Sequence, residues 1–182
     1  NHCLTSPAFR EKVRILNGKL AERYHNHPAL SLFHISNEYS GECHCPLCQQ
    51  AFRAWLTRKY GDIRALNEAW WTAFWSHTFT GFDQIESPAP HGESGLHGLT
   101  LDWQRFVTDQ TVDFMRAEIE ALRAFAPKTP VTTNMMYLFT QLNYAKIAPH
   151  VDVISWDDYP RWHNDEEPLW ATAQRDAFNH DW

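Results

Sequence analysis

The sequence predicts an α/β protein assembled from parallel βα units. Three observations carry that expectation. Short apolar runs of strand character occupy residues 30–35, 131–133 and 151–156. Stretches with helical spacing of apolar residues separate them. Each run ends in polar groups: Asn37 and Glu38 after the first, Asn134 after the second, and Asp157, Asp158 and Tyr159 after the third. In parallel sheets that end of a strand is where ligands bind and reactive side chains collect.

Taken in order, Asn1-His2-Cys3 reads as the tail of an earlier strand, which places the true N-terminus upstream. Thr5-Ser6-Pro7 is a helix start, a hydroxyl cap followed by proline at the first helical position. Phe9, Val13, Leu16, Leu20 and Tyr24 then recur at helical spacing and predict one apolar face. Pro28 precedes the first strand, whose apolar residues are Leu30, Leu32, Phe33 and Ile35. Leu47, Ala51, Trp55 and Leu56 mark a second helix closed by Gly61, and Asp62 caps a short helix through Trp70. Residues 71–100, aromatic and then rich in proline and glycine, read as a long excursion over the surface. A long helix follows from about residue 101 to 126, with Trp103, Phe106, Val107, Phe114, Ile119 and Leu122 facing inward. A helical turn at residues 144–148, the third strand and a helix at about 168–178 complete the chain.

Composition narrows the function classes. The 182 residues are 43% apolar, enough for one domain with a real core. The formal net charge of −6, with both signs interspersed, argues against nucleic-acid or anionic-membrane partners, which need a basic footprint. No apolar run approaches the ~20 residues of a membrane span, and residues 1–15 lack a signal-peptide core. Four cysteines in a chain this long do not suggest a secreted disulfide scaffold, so a reducing cytoplasm is expected. The 9 Trp, 11 Phe and 6 Tyr suit either a core or a sugar-binding cleft, since aromatic faces pack against the C–H faces of sugar rings.

Two groups of residues carry chemistry. Glu38 ends a buried strand beside Asn37, a position suited to a general acid whose pKa is raised by partial burial. The same carboxylate could equally cap backbone amides or pair with an arginine. Cys43, Cys45 and Cys48 come within the next ten residues, and Cys3 could join them from the preceding loop; four thiolates make a closed structural zinc site. Reduced, inert cysteines or redox pairing are the alternatives, and His44 is a competing ligand. Trp70, Trp71, Trp75 and Trp162 are candidate sugar platforms, each of which also suits core or interface.

Longer matches set these residues in context. His34-Ile-Ser-Asn-Glu-Tyr39, the Cys-His-Cys-Pro-Leu-Cys48 run and Ala51-Phe-Arg-Ala-Trp-Leu-Thr-Arg-Lys-Tyr-Gly61 resemble glycoside hydrolase family 42 β-galactosidases. So do Leu66-Asn-Glu-Ala-Trp70, Phe74-Trp-Ser76, Leu101-Asp-Trp-Gln-Arg-Phe106, Thr132-Thr-Asn134 and Ser155-Trp-Asp-Asp-Tyr-Pro160; residues 77–98 match least. The resemblance implies a (β/α)8 TIM barrel that cleaves terminal β-D-galactosides, alone or in oligosaccharides, with retention. It implies that Glu38 is the acid/base at the end of the fourth strand. Asn37 would bind the sugar hydroxyl beside the anomeric carbon, and Tyr159, on the sixth strand, would position the nucleophile. It also implies zinc on Cys3, Cys43, Cys45 and Cys48.

A whole barrel needs roughly 250 residues. The expectation is therefore a partial TIM barrel, strands four to six with their helices, with residues 1–182 forming a fragment of one catalytic domain incomplete at both ends. The family's nucleophile, a glutamate ending the seventh strand, falls after Trp182. Asp157, Asp158, Glu166 and Glu167 are acids near the sixth strand, and none is assigned that role. The fragment alone is expected to be inactive and, with two unpaired sheet edges, to self-associate as a homo-oligomer or to require flanking sequence. Two alternatives remain: a related retaining glycosidase with another glycone, and a non-catalytic zinc-stabilised binding module.

Overall fold

The computed structural model describes residues 2–88, 95–136, 139–159 and 168–181. Helix α1 (Pro7–Tyr24) leads to strand β1 (Phe33–His34), then α2 (Pro46–Tyr60) and α3 (Ile63–Trp70). The long helix α4 (His97–Arg123), strand β2 (Val131–Met135), helix α5 (Tyr144–Ile147), strand β3 (Val153–Trp156) and helix α6 (Leu169–Asp181) follow. The strands lie in the order β1-β2-β3, parallel throughout, with Phe33 opposite Val131 and Thr132 opposite Val153. This is the α/β architecture expected of part of a barrel.

Local chemistry starts and stops the helices. Ser6 accepts the Phe9 N–H at 3.4 Å with Pro7 at the first helical position, and Asp62 Oδ1 accepts the Ala65 N–H at 2.9 Å. Gly61 ends α2 at φ 77°, a conformation a Cβ would strain.

The strands are shorter than the apolar runs. Leu30 donates to the His27 carbonyl in a turn, so only the Phe33 and Ile35 amides reach β2, at Pro130 O and Thr132 O, both 2.9 Å. Val151 likewise bonds back to Ala148, and β3 begins at Val153.

Helix α4 organises the core. Trp103, Phe106, Val107, Phe114, Ile119 and Leu122 are all buried, as their spacing predicts. Phe52 of α2, fully buried, meets Trp103 edge-on at 5.0 Å. Burying one such side chain contributes about 1.5–3 kcal/mol.

Two expectations need correction. On α1, Leu16, Leu20 and Tyr24 are 58%, 42% and 45% exposed. The flank that packs on α4 runs instead through Phe9, Val13, Asn17 and Ala21, with Phe9 stacked on Phe114 at 5.6 Å. Ala21 is fully buried, so a small residue lets α1 approach closely there.

The stretch after α3 is also more than a surface excursion. Ile85 is fully buried, its carbonyl accepting from Arg53 Nε at 2.7 Å, while Asn67 brackets Phe79 through both backbone groups. Residues 89–94 lie outside the described residues.

Candidate functional site

All three strands deliver polar groups to the same edge of the sheet, and hydrogen bonds join them into one row. The Glu38 N–H, just beyond β1, donates to Asn134 Oδ1 of β2 at 2.9 Å. The Asn134 amide in turn donates to both carboxylate oxygens of Asp157, just beyond β3, at 2.9 and 3.0 Å. Asp157 is anchored through its own N–H to the Met135 carbonyl at 2.8 Å.

The Glu38 carboxyl is held above its ordinary value, first by its hydrogen bond to Asp157 and second by burial. Burial alone was the expected cause; the acidic neighbour is the larger one. A carboxyl raised in this way by a neighbouring carboxylate is suited to general-acid work.

The turn that presents Glu38 is unusual in its backbone. Ser36 and Glu38 have φ of 45° and 48°, left-handed conformations that cost a residue with a Cβ about 1–2 kcal/mol each. Asn37 sits exposed between them, and Tyr159, after β3, is 74% exposed. Asp158 stands apart from the row, its carboxyl raised by burial and by its hydrogen bond to Asp176 of α6.

The four cysteines converge. Their sulfurs all lie within 4.8 Å of one another, with Cys3 3.5 Å from both Cys45 and Cys48. All are free thiols, and the separations approach the ~3.8 Å between sulfurs of a tetrahedral site with 2.3 Å metal bonds. The cluster could hold a metal ion. Cys45 caps α2 immediately before Pro46, and the Cys48 N–H above all holds its thiol down to about 7. Burial pushes Cys48 up to about 12.

His44 is not part of the cluster. Its ring stacks on Trp103 at 4.9 Å, Nδ1 lies 2.8 Å from Ser87 Oγ, and Nε2 lies 3.4 Å from Glu42.

Among the tryptophans, Trp70 is core, donating to Asp102 and Tyr60 at 3.1 Å, whereas Trp71 is 71% exposed and stacks on Phe74 at 5.2 Å. Trp162, Glu166, Glu167 and the side chain of Trp75 lie outside the described residues.

Two buried acids on α4 were not anticipated. Asp102, fully buried, accepts from Lys59, Tyr60 (2.6 Å), Arg105 (2.8 Å) and Trp70 (3.1 Å). Burial pushes its carboxyl up, but these donors outweigh it and hold the group below the usual range. Glu118 accepts from Ser36, Tyr39 and Asn17, and burial leaves its carboxyl raised. Both fall on the apolar stripe: Asp102 follows Leu99 by three residues and precedes Phe106 by four, while Glu118 lies midway between Phe114 and Leu122. An acid at such a position is the readable signal of a buried polar network.

The family profile described as beta-galactosidase, of glycoside hydrolase family 42, matches residues 1–182. The chain is 62% identical over 181 residues to the β-galactosidase BglY of Alicyclobacillus acidocaldarius and 56% identical over 188 residues to GanA of Bacillus subtilis. Both alignments cover 100% of this chain, but only 26% and 28% of those proteins. Among solved structures, Gan42B, a family 42 β-galactosidase, superimposes with a TM-score of 0.95 at 56% identity, over 100% of this chain and 28% of its own. The enzyme from Bacillus circulans sp. alkalophilus gives 0.87 at 42% identity, over 96% and 26%. The chain thus spans about a quarter of the length of these relatives, carries part of their barrel, and belongs to the family 42 β-galactosidases.

Proposed function

We propose that these residues form the acid/base half of a retaining β-galactosidase active site, with Glu38 as the acid/base. The observation that carries this reading is the row Glu38–Asn134–Asp157 along one strand-end edge. Its neighbours keep the Glu38 proton in place above the usual carboxylate range.

In the first step Glu38 gives its proton to the glycosidic oxygen as the bond to the anomeric carbon breaks; in the second it takes a proton from the attacking water. Asn37, next to Glu38, would bind the hydroxyl beside the anomeric carbon. Tyr159 would orient the nucleophile through its hydroxyl.

A retaining mechanism needs a second carboxylate about 5–5.5 Å from the first. Asp157 is the neighbour that most raises the Glu38 carboxyl, and both of its own oxygens are taken by the Asn134 amide, so its proposed role is to tune the acid. The nucleophile is assigned to the part of the family barrel that these 182 residues do not cover. Galactosides and galactose-ended oligosaccharides are the proposed substrates, and a reducing cytoplasm the proposed location. No described helix is long and apolar enough to cross a membrane.

Cys3, Cys43, Cys45 and Cys48 are the proposed ligands of one zinc ion. Four thiolates close the coordination shell, so the ion supplies structure rather than Lewis acidity. The chain's own contribution is to tie the start of α1 to the start of α2. Thr5 Oγ1 and Gln110 Nε2 support this from outside, at 3.3 and 3.7 Å from Cys48 Sγ.

The exposed flank of α1 and the exposed β3 residues Val153, Ile154 and Trp156 are the surfaces against which the rest of the barrel, or a second copy, would pack.

Glu38→Gln in a full-length polypeptide containing these residues should lower turnover of aryl β-galactosides by about a hundredfold or more. The 182-residue chain alone should release no nitrophenol. Near-normal turnover by the variant, or steady turnover by the isolated chain, would overturn the reading.

A further inference from the structure

Helix α4 carries a buried carboxylate that the reaction outlined above leaves unused. Glu118 is 5% exposed. Ser36 Oγ donates to both of its oxygens, each at 3.0 Å. The Tyr39 hydroxyl donates to Oε2 and the Asn17 amide of α1 to Oε1, the latter at 3.5 Å.

Ser36 and Tyr39 flank Asn37 and Glu38 in sequence, so both ends of the turn that presents the acid close on one side chain of a core helix. We propose that Glu118 is a positioning residue for Glu38, clamping the turn from both sides and so fixing where the Glu38 carboxyl points. This rests on the reading of Glu38 as the acid/base.

Three features support the assignment. The turn has two left-handed residues, Ser36 and Glu38, and such conformations persist only where surrounding contacts over-determine them. The clamp is itself rigid: the Tyr39 ring meets Phe114 edge-on at 6.5 Å, and Asn17 ties the carboxylate to α1. Finally, Asn134 holds the Glu38 N–H from the sheet side, so the turn is gripped between α4 and β2.

An ionised carboxylate offers two acceptor oxygens and no donor, which suits two hydroxyl donors. Glutamine keeps the size but puts an NH2 group against one of them.

The test compares two substrates in a full-length polypeptide containing these residues. Dinitrophenolate departs without a proton, whereas phenolate departs from the sugar only with one, so a misaimed acid penalises the phenyl galactoside selectively. Glu118→Gln should lower kcat/KM for phenyl β-galactoside at least about tenfold more than for dinitrophenyl β-galactoside. A purely structural loss reduces the folded fraction and scales both substrates alike; equal losses, or none, would overturn the proposal.

Should Glu118→Gln fail to fold, Tyr39→Phe and Ser36→Ala each remove one donor and should show the same split at smaller size; an unchanged ratio in both overturns it. Glu38→Gln run in parallel separates the two readings. Absence of a split there removes the acid/base assignment together with the clamp. A split at Glu38 but not at Glu118 removes the clamp alone.

Discussion

Replacing Asp102 with alanine tests whether the buried network under α3 is as tightly coupled as its geometry implies. Four donors converge on this fully buried carboxylate, but they would not suffer equally. The Lys59 and Arg105 side chains are 32% and 56% exposed and can turn to water. Trp70 Nε1 keeps the Tyr60 oxygen at 3.1 Å. The Tyr60 hydroxyl proton, however, loses its acceptor, at about 1–3 kcal/mol. The cavity and two lost charge-assisted bonds add to this, for a total of about 3 kcal/mol, the low end for breaking a buried ion pair.

The assay is native-state hydrogen exchange on the peptide spanning α3. There about 3 kcal/mol corresponds to roughly a hundredfold faster opening. Less than about tenfold would refute the reasoning. The pH dependence has a definite sign. A carboxyl depressed in the folded state stabilises fully above its unfolded pKa of about 3.9, and that stability is lost as pH falls through the folded value. The wild-type advantage over Asp102→Ala should therefore shrink under acid.

Asp157→Asn removes the acidic neighbour that most raises Glu38. The basic limb of the kcat/KM profile in the full-length enzyme should move to lower pH, and an unmoved limb would show that Asp157 does not tune the acid. Metal analysis of the full-length enzyme should find one zinc for each Cys3–Cys43–Cys45–Cys48 cluster. Cys48→Ser should lose the metal and lower the melting temperature while leaving the leaving-group preference intact. Metal retained by that variant would contradict the ligand set.

The sequence reveals some features more readily than others, for physical reasons. Caps are local: Ser6, Gly61 and Asp62 act within one turn of chain, and each does what its residue type suggests. Cys43, Cys45 and Cys48 were legible by their spacing, whereas Cys3, 40 residues upstream, was added by the family resemblance; the site edge was legible by polar residues following apolar runs.

The buried flank of α1 was not legible. Its apolar residues outnumber the places α4 offers, and only packing decides that Phe9 and Ala21 face inward while Leu16 and Leu20 do not. Strand lengths failed likewise, because turn bonds at Leu30 and Val151 compete with the sheet. Glu118 and Asp102 show that an acid set within an apolar stripe carries information, but naming its partners takes three dimensions. Ser36 lies 82 residues from Glu118 in the chain.

The most direct test of the account is azide rescue of Glu38→Ala in the full-length enzyme, with dinitrophenyl β-galactoside as substrate. The small anion needs no general base to attack the glycosyl intermediate. Turnover should therefore rise with azide, and the product should be the β-galactosyl azide. Turnover indifferent to azide, or an α-configured azide product, would contradict the assignment of Glu38 as the acid/base.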